Sequence, residues 1–156
     1  MMSRLEQIKQ KISDHPSFQK ACETLAHELH SNFKHYNWVG IYQVNKNVLN
    51  LLAWKGAAPT EHVTIPIGTG ICGSAAAERK TILVEDVNKD PRYLQCFLST
   101  RSEIVIPIIS SEKVIGEIDI DSDKTAAFND LDKIYLEDLA LELSKIWEKE
   151  QALEKI

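Results

Sequence analysis

The sequence predicts an α+β fold, an antiparallel sheet with the N- and C-terminal helices on one face and a ligand pocket on the other. Two observations carry this. Apolar residues recur at steps of three and four near both ends of the chain, at Phe18, Cys22, Leu25, Leu29 and Phe33, and again at Leu136, Leu139, Leu143 and Ile146, after Leu131 and Ile134. Between them lie short runs rich in β-branched and aromatic residues, separated by polar turns.

The elements follow in chain order. Residues 3–13 read as a short helix, broken at Asp14-His15-Pro16, and a second helix restarts with proline in its first turn. Residues 38–44 and 48–54, around the turn Asn45-Lys46-Asn47, read as a β-hairpin. Residues 63–67 form a short extended piece, and Pro66 places it at an edge. The glycine-rich turn at 68–73 feeds a short helix over 74–78, and 81–84 is a further strand. Residues 86–100 make a long polar connection with one helical turn expected around 91–94. Strands at 103–109 and 114–120 are joined by a tight hairpin, and a long amphipathic helix runs from Asn129 towards the C-terminus.

Composition narrows the function. The chain has 156 residues, read as one domain over 1–156, which is long enough to bury a core without disulfides or a structural metal. Its net charge of −5, with basic residues scattered, argues against nucleic acid. No apolar run reaches bilayer length, and Met1-Met2-Ser3-Arg4 leads into a polar helix with no leader-like apolar region. A cytoplasmic protein is expected, without membrane contact. Cys22, Cys72 and Cys96 have no CxxC spacing, so their chemistry should be redox or nucleophilic, and His62 has no partner at metal spacing. No metal is assigned.

Several residues admit two readings. Strand alternation puts Glu117, Asp119 and Asp121 on one face, either solvated or forming a pocket wall. Glu103 is either a surface strand terminus or a partly buried acid with a raised pKa. Trp38 and Tyr42 share a face with Gly40 between them, which is either core or a notch flanked by aromatics. Cys72, in a turn before a helix, is either a thiolate favoured by the helix N-terminus or a small buried hydrophobe. Cys22 belongs to an apolar stripe and should be buried. Cys96 lies in a polar connection with Arg92 and Arg101 nearby in sequence, and both could favour its thiolate.

Taken in order, Asn37-Trp-Val-Gly-Ile-Tyr42, Ile67-Gly-Thr-Gly-Ile-Cys-Gly73, Glu85-Asp-Val87, Arg101-Ser-Glu-Ile-Val-Ile-Pro-Ile108 and Gly116-Glu-Ile-Asp-Ile-Asp-Ser122 resemble a GAF domain, over about residues 37–147. More narrowly they resemble the free methionine-(R)-sulfoxide reductases. The sequence departs from that family at His62, where a further cysteine is common.

The resemblance implies reduction of free methionine-(R)-sulfoxide with Cys96 as nucleophile, leaving a sulfenic acid. It implies Cys72, or an external thiol, as the resolving group, and a thioredoxin-like external reductant with no bound cofactor. Asp119 and Asp121 would hold the substrate ammonium, Glu103 the sulfoxide oxygen, and Trp38 and Tyr42 the methyl and sulfur. The alternative is a sensory GAF domain that binds a small ligand without catalysis. The long apolar stripes of the terminal helices further suggest a homodimer.

Overall fold

Ser3 opens the first helix with a reciprocal cap, its hydroxyl accepting from the Glu6 N–H while the Glu6 carboxylate accepts from the Ser3 N–H. The computed structural model describes residues 1–95 and 97–156. Helix α1 (Arg4–Ser13) is followed by α2 (Phe18–Asn32), capped by Ser17, whose hydroxyl accepts from the Lys20 N–H. Pro16 thus precedes the cap and lies outside the helix, not in its first turn as expected.

The sheet comprises β1 (Trp38–Asn45), β2 (Val48–Gly56), β3 (Thr64–Pro66), β4 (Ile82–Val84), β5 (Ser102–Ser110) and β6 (Lys113–Ser122). Their order is β3-β2-β1-β6-β5-β4, with every neighbouring pair antiparallel. Pro66 does occupy an edge strand, where its missing N–H leaves no gap in the ladder. Helix α3 (Gly70–Glu78) lies between β3 and β4, and α4 (Asp130–Glu154) closes the described chain behind an Asn129–Asp132 capping box.

Alternation along β1 and β6 divides the molecule. Val39, Ile41, Ile118 and Ile120 face α1, α2 and α4, and join Ile8, Leu25, Leu29, Leu139 and Leu143 in the main core. Each such buried aliphatic side chain contributes about 1.5–3 kcal/mol relative to exposure. Cys22 is fully buried there, as expected, and burial pushes its thiol pKa up. The terminal helices therefore do share one face of the sheet.

The opposite face carries Trp38, Tyr42 and Val105 against Ile71, Cys72, Ala75 and Ala76 of α3. Helix α3 begins four residues earlier than the pattern suggested, because Gly70, at φ +71°, turns the chain sharply into the helix. The helical turn expected around residues 91–94 is instead a 3-10 turn at Val87–Lys89, capped by the Asp86 carboxylate. Among the described residues no helix is long and apolar enough to cross a membrane.

Candidate functional site

Register assembles the site from four strands, β1, β4 and the β5–β6 hairpin, drawn from separate parts of the sequence. Trp38 pairs with Asp121, Gly40 with Asp119 and Tyr42 with Glu117 across β1 and β6. On the other side of β6, Glu103 of β5 stands opposite Asp121, and Val84 of β4 stands opposite Glu103. Directly paired residues share a face, so Glu103, Glu117, Asp119 and Asp121 all point to the side covered by α3. All four are buried, none more than 4% exposed.

The solvated reading of this acidic face is therefore overturned. Burial is the largest reason that Glu117, Asp119 and Asp121 hold their protons more tightly than ordinary carboxyl groups. The charge of Asp119 adds to the effect on Glu117 and Asp121, while hydrogen bonds from Glu103 and Cys72 partly offset it at Asp119. Both Glu117 oxygens, Asp119 Oδ1 and Asp121 Oδ1 have no hydrogen-bond partner among the described residues. No Lys or Arg among those residues pairs with Glu117, Asp119 or Asp121. Buried acids without a cation carry a desolvation cost that a bound proton or a cationic group offsets.

Cys72 sits in the first turn of α3, and its Sγ donates to Glu103 Oε2 at 3.9 Å. Of the two readings of this residue, a thiolate favoured by the helix N-terminus or a small buried hydrophobe, the structure favours burial. Full burial, followed by the charges of Asp119, Glu117 and Glu103, pushes the Cys72 thiol well above its ordinary pKa. One helix terminus is worth at most about 2 kcal/mol and is outweighed by desolvation beside several carboxylates. Cys72 rests as a neutral thiol.

Trp38 and Tyr42 are both buried on the site face, and the space at Gly40, read as either core or an open notch, is filled. A β-carbon at Gly40 or at Gly56 would collide with the Trp38 indole, so the ring lies across both glycines. It also packs near Trp54 and Phe97, with centroids 6.4 and 5.9 Å away. The Tyr42 hydroxyl donates to the His62 carbonyl at 2.9 Å. The His62 ring in turn hydrogen-bonds the Gln95 carbonyl at 3.0 Å, which ties the loop before β3 to the 86–100 connection. No spacing in the sequence signalled that link.

Cys96 lies outside the described residues. The two arginines near it in sequence have partners among the described residues. Arg92 forms a two-point pair with Asp90, at 3.0 and 2.7 Å, and Arg101 donates to the Leu98 and Thr100 carbonyls. Asp90 is held below its usual pKa by that arginine.

Two cavities meet the carboxylate row. The outer one, about 480 Å³, is lined by Asn37, Trp38, Phe97, Thr100, Asp121 and Asp123 among others. The inner one, about 10 Å³, is lined by Cys72, Glu103 and Asp119 with Ile65, Ile71 and Leu94. The first can take a small amino acid; the second has room for roughly one water-sized atom. The face expected to be free is thus covered by α3, and space for a ligand remains mainly at the Asp121 end.

The model of the GAF domain family matches residues 17–146. The chain belongs to the GAF domain family. This GAF domain is 41% identical over 113 residues to a free methionine-R-sulfoxide reductase from Saccharomyces cerevisiae, covering 70% of this chain and 62% of that protein. The chain thus spans less than two thirds of that relative's length. It is also similar to the structure of free methionine-R-sulfoxide reductase from Neisseria meningitidis in complex with its substrate. There the TM-score is 0.90 and the identity 34%, over 96% of this chain and 89% of that one. A proposed GAF sensor protein from Burkholderia vietnamiensis is similar as well, with a TM-score of 0.88 and 29% identity over 95% and 94% of the two chains.

Proposed function

We propose that this GAF domain reduces free methionine-(R)-sulfoxide to methionine by cysteine chemistry. The observation that carries the reading is the buried row Glu103, Asp121, Asp119 and Glu117, in which oxygens of the last three lack donors among the described residues, ending at a cleft sized for an amino acid. The similarity to reductases, one of them solved with its substrate, supports it. An amino-acid ammonium supplies the missing cation and binds Asp121 and Asp119 through charge-assisted hydrogen bonds. Glu103, when protonated, donates to the sulfoxide oxygen.

The Cys96 sulfur attacks the sulfoxide sulfur, and as the transient S–S bond breaks again the oxygen passes from the substrate sulfur to the Cys96 sulfur, takes the thiol proton to give Cys96 sulfenic acid, and methionine leaves. The Cys72 thiol then condenses with the sulfenic acid, forming an S–S bond and releasing water. A dithiol reductant of thioredoxin type accepts the disulfide by exchange and restores both thiols. Trp38 and Tyr42 wall the site and exclude water from the sulfur.

The deciding experiment incubates reduced protein with racemic free methionine sulfoxide and analyses the remainder on a chiral column. Loss of the R epimer alone is expected. Unchanged substrate with tight binding would replace the reductase with a ligand-binding sensor, the reading that the Burkholderia relative favours. Cys96→Ser should abolish reduction, whereas Cys72→Ser should release one equivalent of methionine and lose recycling by thioredoxin.

A further inference from the structure

The inner cavity suits a different occupant from the outer cleft. Its volume of about 10 Å³ excludes any organic substrate but admits a single atom. The Cys72 sulfur, a Glu103 oxygen and an Asp119 oxygen lie within 4.8 Å of one another around it. Around a four-coordinate zinc ion, with sulfur at about 2.3 Å and oxygen at about 2.0–2.2 Å, donor atoms stand roughly 3.2–3.7 Å apart. The three atoms need draw in by only about 1 Å.

Asp119 Oδ1 has no hydrogen-bond donor, although the residue is only 2% exposed, so a buried acceptor at this cavity lacks a partner. Glu117, one step along the same face, is in the same position with both oxygens. We infer that Cys72, Glu103 and Asp119 form a binding site for one divalent transition-metal ion of zinc type. The donor set decides the class. Magnesium and calcium take oxygen ligands alone, whereas a thiolate with carboxylates suits a borderline-soft ion.

On binding, the Cys72 thiol proton passes to solvent and a metal–sulfur bond forms, with no change of oxidation state. Bound metal withdraws Cys72 from disulfide formation and takes up carboxylates that a substrate ammonium would use. The site itself stands on geometry alone and holds whether or not the domain reduces sulfoxides.

The test titrates the full chain, reduced with a phosphine and kept free of oxygen, with Co²⁺ while recording its absorption. A thiolate-to-cobalt charge-transfer band saturating at one equivalent is expected, lost on adding Zn²⁺ and unaffected by Mg²⁺. Cys72→Ser should remove the band, and Asp119→Asn or Glu103→Gln should weaken Co²⁺ binding at least tenfold. Circular dichroism checks that each variant is folded, and the two isosteric carboxamides keep the test open if Cys72→Ser is not. Cys96→Ser should retain the band. Absence of the band, its survival in folded Cys72→Ser, or its loss in Cys96→Ser would overturn the site. No sulfoxide is present, so failure here leaves the reductase reading untouched, and failure of sulfoxide reduction leaves the metal site untouched.

Discussion

A carboxylate taken out of water needs donors or a cation in exchange, and Glu117 has neither within the described residues. Its folded pKa stands well above the ordinary value, as does that of Asp121, and that of Asp119 is raised too. The sign of the pH dependence follows. Above the unfolded pKa of about 4, the folded chain still holds protons that the unfolded chain has released. Stability contributed at these sites is present at acidic pH and falls as pH rises towards the folded values. Urea unfolding at pH 5 and pH 8 should show this decline, and Glu117→Gln should flatten it while stabilising the chain at pH 8 by at least about 1 kcal/mol. An unchanged slope would mean that Glu117 is ionised in the fold and compensated. Asp121→Asn and Glu103→Gln should lower sulfoxide reduction at least tenfold with little loss of stability, because the first removes the charge that holds the ammonium, the second removes the acid proton offered to the sulfoxide oxygen, and both keep the shape. Equal losses of activity and stability would reduce these carboxylates to structural parts. The buried, neutral Cys72 thiol should resist alkylation by iodoacetamide in the native state at pH 7.5 and react on unfolding.

At the scale of elements, α3 is the part whose placement decides the site. Its Gly73 packs so closely under the preceding loop that a β-carbon would stand 2.6 Å from the Pro66 carbonyl oxygen and 2.9 Å from the Gly68 nitrogen. Both neighbours are backbone and cannot rotate away. Gly73→Ala should therefore push α3 off β3, cost about 1–3 kcal/mol in denaturant unfolding, and displace Cys72 from Glu103. Native-like stability in that variant would show that the loop yields. Gly40→Ala tests the other wall, since it drives the Trp38 ring off the sheet. A shift in tryptophan fluorescence together with weaker substrate binding is the expected result.

At the scale of the whole molecule, α4 leaves Leu131, Ile134 and Leu141 more than half exposed. Spaced three and seven residues apart, they form an outward stripe on a helix whose other side is already buried in the core. A twofold pairing through this stripe is the expected association. Light scattering at micromolar concentration should give a dimer, and Ile134→Glu with Leu141→Glu should give a folded monomer. A wild-type monomer would refute the pairing.

Periodicity by itself determined the two N-terminal helices and the C-terminal one, the two hairpins and the shared side of the sheet on which the terminal helices lie. A step of three or four residues, or of two, is a local property that tertiary context rarely reverses over ten or more residues. The same alternation placed Glu117, Asp119 and Asp121 on a shared face. Whether that face met water or protein depended on α3, which comes from another part of the chain, and so burial was not legible. Spacing also showed no metal-ligand motif, because residues 72, 103 and 119 become neighbours only through the pairing of β5 with β6 and the docking of α3. Cys72 shows the limit most directly. Its position at a helix start is written in the sequence and favours a thiolate, whereas the desolvation and the carboxylates that reverse that preference exist only in the assembled fold. Electrostatic free energies depend on everything within several ångströms, and only the tertiary structure decides what that is.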